Sequence, residues 1–389
     1  VLERWNIECT GTGSPRYING RSFDVRHLEH IHGGNVNLAS RRYNIPVHEL
    51  LDFSANINPL GPSPKSVSAV IDNLGLISSY PDPDCTELKS VLASHLGIRE
   101  ELLLMGNGAV ELIYLLVRVL EARKALIPVP TFSEYGLAML SQGGEVLEIA
   151  LDEKKGFRLP LDDLIRSLDQ VDLIFLCNPN NPTGRLLDSK TIEYILDKSF
   201  SHGAMLLVDE AFMDFIPEKK RFSVMNRVGE FPNLAVLYSL TKFFGIPGLR
   251  LGAIAAPEII INRMKTAKDP WNVNVLAQVA GVAGLRDQDY MERTVKLVRQ
   301  EKQFLFRELK RLPGLKPLPG AANFFLVEVT ESGLTSDKLT ELLGRRGIMV
   351  RDCNGFAGLA GRYIRVAVRT HPENIKLINA LKSIQEEIC

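Results

Sequence analysis

The chain has 389 residues, 45% of them hydrophobic and 24% charged, and its 46 basic residues balance 46 acidic ones. This profile is that of an ordinary globular protein, and it excludes collagen-like, coiled-coil and low-complexity chains. With no net charge there is no general attraction to nucleic acid or to an anionic membrane.

At roughly 150 residues per domain, two or three domains are expected. No apolar run reaches the ~18 residues of a membrane span. The N-terminus lacks the ~7–15-residue apolar core of a secretory signal. Cys9, Cys85, Cys177, Cys353 and Cys389 are scattered, with no C-x-x-C pair. They indicate neither a disulfide framework nor a standard zinc site, so a reducing cytoplasm is expected. Cys9, His27 and His30 do not form a recognised ligand spacing, and no metal is expected.

Residues 1–30 are polar, contain Gly11, Gly13, Pro15 and Gly20, and show no clear periodicity. They read as an N-terminal extension with the composition of a flexible arm. Residues 31–74 are too short to fold alone and are expected to pack on a smaller domain. From about residue 75 the pattern is regular. An apolar run at 102–105 leads through Gly106-Asn107-Gly108 into a helix over 109–120. Further strands are expected at 125–128, 173–176, 205–208, 234–238 and 251–256, with a helix through 137–140. Strands that are apolar throughout and alternate with helical patterns predict a mainly parallel sheet in a three-layer α/β domain over 75–285. Helices near 273–285 and 292–312 follow, the second ended by Pro313-Gly314. Strands at 324–329 and 363–368, with helices near 339–345 and 373–387, predict a smaller α+β domain over 286–389.

The unusual residues follow strand ends, the edge where open α/β sheets bind ligands. Asn178-Pro179-Asn180-Asn181-Pro182-Thr183-Gly184 follows one strand, and Asp209-Glu210-Ala211-Phe212 another. Ser239-Leu240-Thr241-Lys242 follows a third, with Gly248-Leu249-Arg250-Leu251-Gly252 shortly after. Singly, these are turn chemistry, a helix cap and a solvated lysine.

In this order, from about His32 to the C-terminus, the segments resemble the fold-type-I pyridoxal-phosphate enzymes, the aspartate-aminotransferase-like superfamily. Within it, His32-Gly33-Gly34-Asn35 and the stretch Asp52-Phe53-Ser54-Ala55-Asn56-Ile57-Asn58-Pro59-Leu60-Gly61 are similar to the threonine-phosphate decarboxylase family of cobalamin assembly. That family is close to the histidinol-phosphate aminotransferases. The resemblance implies pyridoxal 5'-phosphate as cofactor and Lys242 as the catalytic Schiff-base residue. Its amine must be deprotonated to react, which desolvation and a neighbouring cation would favour. Asp209 is then expected at the ring nitrogen, Asn181 at the ring oxygen and Phe132 on the ring face. Gly108, Ala109 and Val110 at a helix N-terminus, with Ser239, Thr241 and Arg250, are expected to hold the cofactor phosphate. Tyr80 matches a tyrosine that reaches the phosphate in a neighbouring subunit, which implies a homodimer with shared sites.

The resemblance further implies a small phosphorylated amino acid as substrate, bound by His32, Gly33, Asn56, Asn181, Arg351 and Arg365. Arg365 is assigned to the carboxylate and Arg351 to the phosphate, with Arg362 and Arg369 as nearby decoys. Decarboxylases and aminotransferases differ in which bond at the α-carbon is held perpendicular to the conjugated plane. Phe212 stands where histidinol-phosphate aminotransferases usually carry Tyr, which favours the decarboxylase pattern. Serine phosphate is a rival substrate. A non-enzymatic regulator or inactive scaffold is disfavoured, because residues 1–30 do not read as helix-turn-helix and Lys242, Asp209 and Arg250 are all present.

Overall fold

A computed structural model describes residues 16–18, 21–23 and 32–388. The rest of the 1–30 extension, including Cys9, His27 and His30, lies outside the described residues. Within it, β1 (Arg16–Ile18) and β2 (Arg21–Phe23) form an antiparallel hairpin that the lack of periodicity did not announce. A short strand, β3 (Leu51–Asp52), follows.

The next seven strands build one sheet. They are β4 (Leu103–Gly106), β5 (Lys124–Val129), β6 (Glu145–Ala150), β7 (Leu173–Cys177), β8 (Met205–Asp209), β9 (Leu234–Ser239) and β10 (Gly252–Ala255). Their spatial order is β4-β10-β9-β8-β7-β5-β6. β6, β5, β7, β8 and β9 are parallel neighbours, and β10 runs antiparallel to both β9 and β4. The expected mainly parallel sheet is present. β6 had escaped the sequence reading for a physical reason. It is an edge strand with Glu145 exposed and Glu148 facing outward, so it lacks the continuous apolar run of a strand covered on both faces.

Helices cover both faces. Ala109–Leu120 begins at Gly108 and buries Leu112, Ile113, Leu116 and Val117 against one face. Thr86–Leu96, Ser189–Ser201 and Val275–Leu285 bury theirs in the core on the other.

The remaining strands are β11 (Lys316–Pro317), β12 (Phe324–Glu328), β13 (Ile348–Met349), β14 (Arg351–Asp352) and β15 (Tyr363–Ala367). Four of them form an antiparallel sheet in the order β11-β12-β15-β14. β13 instead pairs in parallel with β3, and Phe53 N–H donates to the Met349 carbonyl at 2.8 Å. The 24-residue helix Gln288–Arg311 serves both sheets: Tyr290, Met291 and Val298 join the core of the large sheet, whereas Leu305 and Leu309 join that of the small one. Its stripe of buried residues at helical spacing makes this possible.

Candidate active site

One cavity of about 370 Å³ lies at the C-terminal ends of β7, β8 and β9 and is closed from the other side by β14, β15 and the segment after β3. Lys242 stands in the single helical turn Leu240–Phe243 that follows β9. Burial, then the nearby charges of Arg365 and Arg250, lower its amine pKa to about 8, and Asp209 opposes the shift. The main-chain carbonyl of Lys242 accepts from Asn58 N–H at 3.0 Å. Asn58 also bonds Phe243 O, Tyr290 and Thr294, so the turn is tied to the helix beneath it.

Asp209 ends β8 and is buried. Its Oδ2 accepts from the Tyr135 hydroxyl at 2.6 Å and its Oδ1 from Ala211 N–H at 2.9 Å. Burial raises its pKa, and these hydrogen bonds work against that rise. Tyr135 is stacked on Phe175 and meets the edge of Phe132 at 5.6 Å. Sequence reasoning missed Tyr135, because a tyrosine inside an apolar helix gives no sign of a carboxylate partner 74 positions away.

The loop after β7 is fixed by its own side chains. Asn180 accepts from Thr131 at 2.7 Å and donates to Pro130 O and Thr183 Oγ1. Asn181 projects from this loop, and its Oδ1 accepts from Arg365, which leaves its amide N–H groups as donors toward the cavity. Gly108 opens the helix Ala109–Leu120 with φ 81°, where a Cβ would stand 2.4 Å from the Arg250 guanidinium. Only glycine lets Arg250 lie over this helix N-terminus. Ser239 and Thr241 are buried there, their hydroxyls 2.8 Å apart.

Across the cavity, Arg365 on β15 is opposite Arg351 on β14 in the antiparallel register. Like charges placed directly opposite are destabilising in a sheet. Arg365 is buried and donates to Asn181 Oδ1 and, at 2.6 Å, to the Ser54 carbonyl. Burial brings its pKa down to about 10. Its Nε and the Oδ1 of Asn56 are buried with no hydrogen-bond partner among the described residues. The Arg351 guanidinium lies 5.5 Å from the Phe356 ring centroid. His32 Nε2 is 2.8 Å from Glu134 Oε1, and Glu134 accepts from Tyr114 through its other oxygen at 2.9 Å. Gly33 lies so close to Ser54 that a Cβ would meet its carbonyl oxygen at 2.1 Å.

His32, Gly33, Asn56, Ala109, Val110, Phe132, Asn181, Asp209, Ser239, Thr241, Lys242, Arg250, Arg351 and Arg365 all line this one cavity. Gly108 borders it through Arg250. Tyr80 does not: it is 80% exposed and stacked on Trp271, with ring centroids 4.5 Å apart. Arg362 and Arg369 are also elsewhere, paired with Glu153 and Glu373. Phe212 lines the cavity and packs edge-on against Phe324 at 5.1 Å. Ser54 and Glu134 were not foreseen. One acts through its main-chain carbonyl, and the other is a buried acid whose partners are distant in sequence.

Residues 48–381 match the family model described as aminotransferase class I and II. A threonine-phosphate decarboxylase from Salmonella typhimurium is 39% identical over 355 residues, covering 91% of this chain and 96% of the relative. A histidinol-phosphate aminotransferase from Methanopyrus kandleri is 34% identical, covering 94% of this chain and 97% of its own. The crystal structure of L-threonine-O-3-phosphate decarboxylase from Porphyromonas gingivalis superposes with a TM-score of 0.76 at 27% identity, over 86% of this chain and 99% of that one. With its layered, mainly parallel sheet and a family match over most of its length, the chain belongs to the aminotransferase class I and II family.

Proposed function

We propose that the protein is a pyridoxal-5'-phosphate-dependent carboxy-lyase that converts L-threonine O-3-phosphate to (R)-1-aminopropan-2-yl phosphate and carbon dioxide, as a step of cobalamin biosynthesis. The observation that carries this reading is the opposed pair Arg351 and Arg365, facing Lys242 and Arg250 across one cavity. Two guanidiniums on neighbouring strands thus line one cavity. A substrate with a carboxylate at one end and a phosphate at the other offers each of them an anion. The Salmonella relative supports the same choice.

The residues fit the cofactor. Lys242 has an amine whose pKa is lowered to about 8, so a sizeable neutral fraction is present at that pH. Asp209 is a buried carboxylate suited to a protonated ring nitrogen, and Tyr135 holds it in place. The helix N-terminus at Gly108–Val110, Arg250 and the two hydroxyls suit a phosphate. When bound, the cofactor supplies an electron sink for the pair released at the substrate α-carbon. Everything else falls to the chain. Arg365, braced by Asn181 and Ser54, holds the carboxylate. Arg351, with His32, Gly33 and Asn56, holds the phosphate. The two clamps fix the orientation of the substrate, and with it which α-carbon bond would be broken. Lys242 Nζ then returns a proton to the α-carbon. Phe212 offers no hydroxyl at the reacting face, in keeping with carboxylate loss rather than amine transfer.

A product assay tests the reading. Threonine phosphate is expected to release carbon dioxide without a keto-acid. Dependence on 2-oxoglutarate with glutamate formed from histidinol phosphate would replace it by the aminotransferase reading, which the Methanopyrus relative favours. Serine phosphate is expected to react more weakly, since one methyl discriminates by ~1–3 kcal/mol.

We further propose a homodimer in which Tyr80 reaches the partner's phosphate site. Its exposure, with Ile71, Leu74 and Ile77 exposed nearby in sequence, supports this, and sedimentation velocity tests it. We also propose that residues 75–285 form the larger domain and 286–389 the smaller one, with 31–74 packed on the smaller; the separate apolar cores of the two sheets support this. No helix among the described residues is long and apolar enough to cross a membrane, and Cys85, Cys177 and Cys353 are free thiols. The free thiols support the cytoplasmic location we propose.

A further inference from the structure

The helix Gln288–Arg311 presents Lys302 to a second cavity, of about 320 Å³, which shares no lining residue with the first. Phe215, Val298, Phe306 and Phe325 form its walls, Arg299 and Lys302 are its cations, and among the described residues no carboxylate lines it. The Lys302 ammonium donates to the Ala321 carbonyl. Desolvation is the one cause acting on its pKa, which falls to about 8. An amine shielded among phenylalanines without a counter-charge costs free energy that a methionine of similar length would avoid.

An occupant with an apolar body and an anionic head removes that cost. Its body covers the aromatic walls and its head supplies the missing charge. A single delocalised carboxylate matches one half-buried amine with an exposed guanidinium at the rim. A phosphate dianion is more strongly hydrated and would have to be stripped of water against apolar walls. We propose that this cavity is a second binding site, for a small amphiphilic monocarboxylate whose head group lies on Lys302 and Arg299 and whose apolar body lies on Phe215, Phe306 and Phe325.

The test titrates the holoenzyme by calorimetry with 4-phenylbutyrate and with 4-phenyl-1-butanol. In parallel, acetic anhydride labelling of lysines is followed by peptide mass spectrometry. The acid is expected to bind saturably and about tenfold or more tighter than the alcohol, the preference one ion contact readily supplies. Lys302→Met is expected to abolish that preference. The acid is also expected to protect Lys302 from acetylation while leaving the exposed Lys296 unprotected. Equal binding of acid and alcohol, acid affinity unchanged in Lys302→Met, or displacement of the acid by threonine phosphate would each overturn the proposal. The last result would put the acid in the first cavity. If Lys302→Met does not fold, the protection measurement on the unaltered protein decides.

Discussion

The two walls of the main cavity are built by different means. On the large-sheet wall, Asp209 is the last residue of its strand, Lys242 and Asn181 sit three and four residues beyond the ends of theirs, and those strands are neighbours in one sheet. Sheet order alone brings them together. On the opposite wall, His32 and Asn56 come from near the start of the chain and Arg351 and Arg365 from near its end. They meet because β3 pairs with β13 and because Arg365 reaches the Ser54 carbonyl across 311 positions. The first wall is a set of short loops on a rigid scaffold. The second exists only once the two ends of the chain have docked. In the proposed function, the reactive groups stand on the first wall and the groups that orient the substrate stand mainly on the second.

The sharpest way to break this division is Lys242→Ala. Turnover is expected to fall by on the order of 10⁴-fold or more, with loss of the visible absorption band and of borohydride-fixed cofactor mass. A variant that kept its colour after dialysis and borohydride would refute the assignment of the first wall. Next in size are Arg365→Ala and Arg351→Ala on the second wall. Each is expected to raise KM for threonine phosphate by on the order of 100-fold while the cofactor stays bound, as steady-state kinetics and the absorption spectrum would report. Arg365→Ala should be the more damaging to the fold, because it also orphans Asn181 Oδ1 and the Ser54 carbonyl, at about 1–3 kcal/mol each in a denaturant titration.

Gly108→Ala returns the test to the first wall with a smaller effect. The added carbon would strike the Arg250 guanidinium, and a residue with a side chain is strained at φ 81°. Cofactor affinity is expected to drop about tenfold, measured by equilibrium dialysis, with KM for substrate little changed. Unaltered cofactor affinity would detach Arg250 and the helix N-terminus from the phosphate. The mildest effect is one of pH. Because Lys242 has its pKa lowered to about 8, its amine is protonated below that value and free above it. The rate of cofactor capture by the apoprotein should therefore rise with pH up to about 8 and level off beyond. A rate still climbing toward pH 10 would mean that burial and the two arginines do not depress the amine as the geometry requires.

Much of the first wall could be read in the chain itself. The run Asn178 to Gly184, the Asp209 segment and the Ser239 to Lys242 segment follow apolar strands, and a strand end places whatever comes next at the sheet's edge. Asp209 and Lys242 were legible because each is a charged residue directly after a buried run. The edge strand β6 was not, since its exposed Glu145 and Glu148 interrupt the apolar run without setting up a strict alternation. Tyr135 and Glu134 were not either, because a buried polar side chain shows its purpose only through its partner, and theirs are distant in sequence.

The amino-acid order by itself determined the apolar strands of the large sheet, their alternation with helices, and the loops that carry Asn181 and Lys242, because hydrophobic periodicity and turn chemistry act over a few residues. Only the tertiary structure decided that Arg351 and Arg365 oppose each other while Arg362 and Arg369 pair with surface acids, that Asn181 is bridged to Arg365, and that Lys302 faces an apolar cavity. Those outcomes depend on strand register and on contacts between distant segments. A one-residue slip in β15 would turn Arg365 to the other face of its sheet, and nothing local in the sequence fixes that register.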